Sequence, residues 1–230
     1  MLKLYHHPMS TASRYIRLVL SEYELSASFA EEKIWQRREE FLMLNPAATL
    51  PVLLDDEEQP ICGPIVIGEY LDETTGAMMR ERRLMPENSR ARAEVRRLVD
   101  WFISKFEQEV GQYLTHERVY KQLMTRDEGG GSPDSAIIRA GRNNLKSHLQ
   151  YISWLAESRN WLAGPKLTQA DLAAASALSV LDYLGEIPWD TFPAVRDWYA
   201  RLKSRPSFRP LLADKVPGLP PASHYIDLDF

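Results

Sequence analysis

The sequence predicts an α/β unit over residues 1–75 followed by an all-helical unit over residues 87–213, and three observations carry that prediction. Strand and helix signals alternate through the first unit, whereas only helical periodicity persists beyond it, apart from loops. Leu50-Pro51-Val52 puts a proline at the opening of a strand, where the missing N–H removes one ladder donor. Thr168-Gln169-Ala170-Asp171 has the Ser/Thr-x-x-Asp form of a helix-capping box ahead of a long apolar run.

Within the first unit, Leu2 to Tyr5 is a short apolar strand that ends in the polar turn His6 to Thr11. Ile16, Leu18, Val19 and Leu20 then lie in a helix of good formers reaching about Tyr23. Ser28 to Ile34 reads as a second strand, Arg37 to Leu44 as a short helix, and Leu50 to Leu54 as a third strand that ends at Asp55-Asp56-Glu57-Glu58. Gln59 to Cys62 returns as the fourth. Pro64 suits a first helical position, and Ile65, Val66, Ile67, Tyr70 and Leu71 continue at helical spacing until Gly76. The order βαβαββα is that of a thioredoxin-like unit.

Residues 76–86 read as a linker. Glu87 to Tyr120 reads as one long amphipathic helix, because Val95, Leu98, Val99, Phe102, Phe106, Val110 and Tyr113 form a stripe that must be buried. Thr125 to Asp134, with Gly129-Gly130-Gly131-Ser132-Pro133, is expected to be a flexible break. Helical patterns resume at Ala136 to Ser158, Asp171 to Gly185 and Pro193 to Ser204. After Ala213, Lys215-Val216-Pro217-Gly218-Leu219-Pro220-Pro221 cannot continue a helix, so residues 214–230 are expected to form an extended tail ending Tyr225-Ile226-Asp227-Leu228-Asp229-Phe230, which either packs back on the body or presents an interaction strand.

Composition narrows the functional classes. The 230 residues, 44% hydrophobic, support a sizeable core. A net charge of -4 offers no field to attract nucleic acid or anionic lipid. No apolar run is long enough to cross a bilayer, so membrane insertion is not expected. The single cysteine, Cys62, excludes an internal disulfide and points to a reducing cytoplasm; no Cys/His spacing suits a metal. Cys62 reads as a small buried residue, and His6-His7, adjacent at a strand end without a ligating partner, as loop-packing or solvated histidines.

Three separated stretches resemble the glutathione S-transferase superfamily: Asn45-Pro46-Ala47-Ala48-Thr49-Leu50-Pro51-Val52-Leu53, Trp161-Leu162-Ala163-Gly164-Pro165-Lys166-Leu167-Thr168-Gln169-Ala170-Asp171, and Trp198-Tyr199-Ala200-Arg201-Leu202-Lys203-Ser204-Arg205-Pro206-Ser207-Phe208. The resemblance spans residues 1 to about 213. It implies a cis bond before Pro51, although a trans proline at a strand edge is the commoner arrangement in general. It also implies that the backbone of Val52 pairs with an extended thiol peptide, as an added strand would. Thr168 and Asp171 are expected to be structural, as a helix cap. A homodimer is the assembly that the family suggests.

The turn Tyr5-His6-His7-Pro8-Met9-Ser10-Thr11-Ala12-Ser13-Arg14-Tyr15-Ile16-Arg17 resembles the catalytic loop of the serine- and cysteine-type members, which places Ser10 beside the glutathione sulfur. A hydroxyl at a helix N-terminus can donate to a thiolate, and the helix dipole favours the same anion. The same serine, or Ser13, could equally cap the helix and do nothing else. In the family an acidic residue and a serine precede the third helix and hold the glutamyl end of glutathione; here Gly63 and Pro64 stand in their place. Gly63 supplies no carboxylate, and Pro64 supplies neither a hydroxyl nor a backbone donor. Glu69 is expected to face away, and Ala48, where many relatives have glycine, is a smaller departure. Glutathione is therefore expected to bind weakly, with no firm cofactor.

The tail, the altered glutamyl site and the length together resemble the FtsZ-binding, glutathione-transferase-like division proteins of alphaproteobacteria. That narrower resemblance implies a binding role for FtsZ polymers in place of catalysis, with Tyr225, Asp227, Leu228 and Phe230 of the tail as docking residues. Trp35, an aromatic among Gln36, Arg37 and Arg38, is a second interface anchor unless it packs under its own loop. The alternative is a transferase that conjugates glutathione to electrophiles, with Ser10 activating the thiol.

Overall fold

The structure, a computed structural model, describes residues 1–228. Asp229 and Phe230, the latter one of the expected docking residues, lie outside the described residues. Four strands, β1 (Leu2–His6), β2 (Ala27–Glu31), β3 (Val52–Leu54) and β4 (Pro60–Cys62), form one sheet in the order β2-β1-β3-β4. β1 runs parallel to β2 with Leu4 opposite Phe29, and antiparallel to β3 with Leu4 opposite Leu53; β3 pairs antiparallel with β4. The Leu50–Pro51 peptide bond is cis.

Helix α1 (Thr11–Glu22) follows β1 because Ser10 caps it, and α2 (Glu39–Leu44) follows β2 after a short 3-10 turn, Ile34–Gln36. Pro64 opens α3 (Pro64–Thr74) at its first turn, where no backbone donor is needed. Beyond it come α4 (Ser89–Asp100), α5 (Ser135–Ser158), α6 (Gln169–Tyr183) and α7 (Pro193–Lys203). Every residue of α6 is buried, and alanines at 170, 173, 174, 175 and 177 let α1 approach it closely. The main core joins Tyr15, Ile16, Val19 and Leu20 of α1 to Leu172, Leu178 and Leu181 of α6. Fully burying each such leucine or isoleucine stabilises the fold by roughly 1.5–3 kcal/mol.

The long helix expected from Glu87 to Tyr120 begins at Ser89, capped by Asn88, and is not regular. Past α4 it passes through the π turns Trp101–Lys105, Glu107–Gly111 and His116–Tyr120 before ending at Leu123. The side chains it turns to a common cleft include Ile103 and Glu107, then Gln112, His116 and Tyr120, each four residues after the last within its group. Apolar spacing alone did not carry that information.

Of the two courses open to the tail, packing on the body is the one that the structure shows as far as Tyr225. It folds back on the helical body through Val216 N–H, which donates to Tyr183 Oη at 3.0 Å, and Ala222 N–H, which donates to Tyr183 O at 2.9 Å. Tyr225 is 0% exposed, with its hydroxyl donating to Leu211 O at 2.9 Å. Among the described residues no helix is long and apolar enough to cross a membrane.

Candidate functional site

A cleft of about 1100 Å³ opens between the turns that lead into α1, α2 and α3 on one side and the π-turn helix on the other. Ser10 lines it. The Ser10 hydroxyl accepts from Ser13 N–H at 3.2 Å, so the capping role is occupied, and its own hydrogen remains available to donate. The preceding His7 is buried, and its Nδ1 accepts from Met9 N–H at 3.2 Å, which places the ring proton on Nε2. Burial, reinforced by the neighbouring His6 and Arg14, lowers the His7 pKa to about 4; His6 is likewise lowered to about 4 by burial and Arg17. Neither is solvated: His6, the last residue of β1, packs on Phe29 of β2, and His7 packs on Trp35 and Tyr120.

Gly63 and Pro64 line the same cleft. Gly63 has φ +92°, in the left-handed region that favours glycine, and open space where a side chain would project. Glu69 is committed elsewhere, accepting from Arg96 Nε at 2.7 Å and from Arg92 at 3.3 Å. Ala48, also in the wall, adopts φ +53°.

Val52 requires correction. It is fully buried and lies between Tyr5 of β1 and Cys62 of β4, so paired strands flank it on both sides and it does not line the cleft. Pro51 is also absent from the wall, and its carbonyl accepts from Gly63 N–H at 3.2 Å. Leu50, immediately before the cis bond, is the residue of that corner exposed to the cleft. Cys62 is half-buried, packed beside Phe41, Leu50 and Val52, with Sγ 3.5 Å from Leu44 O.

Trp35 lines the cleft, with ring centroids 5.7 Å from His7 and 5.6 Å from Tyr120. Its Nε1 is buried without a hydrogen-bond partner among the described residues. Across the cleft Glu107 stands in the middle π turn. The Thr11 hydroxyl, in the first turn of α1, hydrogen-bonds its carboxyl group, while Oε2 is buried and unpartnered among the described residues. Burial raises the Glu107 pKa, and the Thr11 bond opposes that rise. Glycine at 111 makes the arrangement feasible, since a Cβ there would stand 2.2 Å from Oε2.

The tail residues lie apart from the cleft, and Arg14 ties Tyr225 to the turn before α1. That guanidinium is completely buried and donates to Pro8 O at 2.6 Å, Ser179 Oγ at 2.9 Å, Tyr225 Oη at 3.1 Å and Asp214 Oδ2 at 3.3 Å. Tyr225 is therefore an internal lock, which corrects its assignment as a docking residue. Its neighbours differ: Asp227 is exposed, as are Ile226 at 67% and Leu228 at 41%. Arg14, Glu107, Tyr120 and Leu50 escaped the sequence reading. Arg14 alone left a signal, standing four residues before Leu18 on the apolar face of α1.

Thr168 and Asp171 form the expected capping box, with Thr168 N–H donating to Asp171 Oδ2 at 3.0 Å and the Thr168 hydroxyl donating to the same oxygen at 3.1 Å. Asp171 Oδ1 also accepts from Leu162 N–H at 2.8 Å and Trp198 Nε1–H at 3.2 Å, so one buried carboxylate organises three segments of the helical body.

Comparison with known proteins matches residues 1–73 to the glutathione S-transferase N-terminal domain and residues 136–206 to the glutathione S-transferase C-terminal domain. The chain is 45% identical to FtsZ-localized protein A of Caulobacter vibrioides over 230 residues, covering 99% of this chain and 97% of the relative. Among solved structures, a glutathione S-transferase from Sinorhizobium meliloti is 57% identical, covers 100% of both chains and superposes with a TM-score of 0.99. FzlA from C. crescentus, 45% identical, covers 100% of this chain and 99% of its own with a TM-score of 0.92.

Proposed function

We propose that this chain, which belongs to the glutathione S-transferase family, is a non-catalytic member that binds the division polymer FtsZ in the cytoplasm. The observation that carries the reading is the cleft wall at Gly63 and Pro64, which lacks both the carboxylate and the hydroxyl that a glutamyl end requires. Each lost charged or hydrogen-bonding contact is worth about 1–3 kcal/mol, so together they weaken glutathione binding by decades. Glu107 adds to the loss. Its carboxyl group, hydrogen-bonded by Thr11, sits against the N-terminus of α1, where a thiolate would need the same positive dipole. Full-length similarity to FtsZ-localized protein A supports the choice of partner.

The exposed end of the tail, Ile226-Asp227-Leu228, is the proposed docking surface, and a homodimer is part of the same reading. Co-sedimentation with FtsZ polymers tests it for wild type, Asp227→Lys and a chain ending at Tyr225, which keeps the internal lock intact. Wild type should pellet with polymer, and both variants should pellet less while unfolding at nearly the wild-type temperature. Failure of the wild type to pellet, or identical behaviour of all three, contradicts the reading. A second reading, conjugation of glutathione to electrophiles, rests on Ser10 lining the cleft with its O–H available. Conjugation of a generic aromatic electrophile above background, abolished by Ser10→Ala, would establish it.

A further inference from the structure

We propose that the outward face of α5, centred on Lys146 and Trp154, receives the β3–β4 turn of a second copy of this chain, and that the two copies exchange this contact about a two-fold axis. The inference rests on the homodimer in the reading above and names its interface. Charge is divided unevenly along the chain: residues 1–75 hold six Lys and Arg against 13 Asp and Glu, whereas residues 76–230 hold 22 against 19. The first unit is therefore strongly acidic and the remainder mildly basic, so two copies gain by setting one unit against the other. A two-fold dimer makes that contact twice and closes.

Both surfaces carry uncommitted side chains. Arg139, Asn143, Lys146, Gln150 and Trp154 recur at helical spacing along α5, and all five are exposed, whereas Leu145, Leu149 and Ile152 of the same helix are buried. Arg139 and Lys146 make no hydrogen bond or ion pair among the described residues, unlike Arg142, which pairs with Glu186. Trp154 is 56% exposed yet fixed in place: its ring stacks on Tyr151 at 6.1 Å and 15°, and Tyr151 meets Trp101 at 4.6 Å. Large aromatic rings held in this way are favoured interface anchors. In the β3–β4 turn, Asp55 Oδ1 accepts from Glu57 N–H at 2.9 Å and from Gln59 N–H at 2.8 Å, and Asp56 pairs with the N-terminal ammonium at 2.5 Å. Those two acids shape the turn. Glu57 and Glu58 are exposed and make no side-chain hydrogen bond or ion pair among the described residues, and exposed Pro60 follows at the start of β4. The lengths agree. Lys146 and Trp154 stand about 12 Å apart along the helix, and the chain from Glu57 to Pro60 spans at most about 10 Å, so side-chain reach lets an acid meet Lys146 while Pro60 covers Trp154.

Sedimentation equilibrium of the full-length chain, as wild type and as charge-reversed variants, provides the test. Wild type should dimerise, and more weakly as salt is raised. Arg139→Glu with Lys146→Glu, and separately Glu57→Lys with Glu58→Lys, should each weaken the dimer about tenfold or more, since like charges then face one another. An equimolar mixture of the two variants should associate nearly as tightly as wild type, because the mixed dimer sets opposite charges together at both contacts. Loss of folding cannot produce that rescue. Trp154→Ala should weaken the dimer about tenfold at unchanged thermal midpoint. A monomeric wild type would overturn the homodimer and this interface together. A wild-type dimer that neither reversal weakens, or a mixture no tighter than its components, would overturn the interface alone and leave the homodimer standing.

Discussion

At the scale of single residues, His7 couples the cleft to pH. Its Nδ1 accepts a backbone N–H and burial holds the ring neutral, with a pKa near 4 in the folded chain against 6.5 when exposed. The unfolded chain therefore binds more protons between those values, so this contribution is fully present above about pH 6.5 and is lost as pH falls toward 4. The full shift corresponds to roughly 3 kcal/mol. Urea unfolding at neutral pH and near pH 4.5 should show a smaller acid loss for His7→Asn, which keeps an acceptor but cannot titrate, than for wild type. Parallel loss in the two proteins would refute the assignment. Gly63 makes a second case. Gly63→Glu with Pro64→Ser should improve glutathione affinity, yet the positive φ should lower stability by about 1–3 kcal/mol, read from the shift in urea midpoint. The motif at these two positions was legible in the sequence because it is local. Arg14 was not, since its partners Ser179 and Tyr225 lie 165 and 211 residues away.

At the scale of elements, the capping box was legible from four consecutive residues, but its weight was not. Asp171 is more than a cap, because it also accepts from Leu162 and Trp198 in the buried interior. Thr168→Ala should cost about 1 kcal/mol. Asp171→Ala, which strands several buried donors, should cost about 3–5 kcal/mol. Chemical denaturation that ranks the two equally would show that Asp171 acts only at the helix start. The π turns after α4 follow a different logic. Apolar periodicity located a long helix there, but a mean period does not record where it widens into π turns.

At the scale of the whole molecule, the strand order and the helical body follow from local patterns and three family motifs, whereas the tail's course depends on distant partners. The composition of residues 215–230 left two courses open, packing back on the body or presenting an interaction strand. Tyr225 is locked against Arg14 and Tyr183, and the consecutive exposed residues after it are Ile226, Asp227 and Leu228. Truncation after Ser223 should therefore lower the thermal midpoint, and truncation after Tyr225 should leave it nearly unchanged; equal midpoints would contradict the lock. The proposed function joins the cleft and the tail in one reading, a transferase scaffold that has lost its glutathione site at Gly63, Pro64 and Glu107 and kept the surrounding fold. Calorimetric titration of the unmodified protein with glutathione tests this most directly. No saturable heat should appear up to about millimolar ligand, whereas tight, stoichiometric binding would contradict the account and favour the conjugating enzyme.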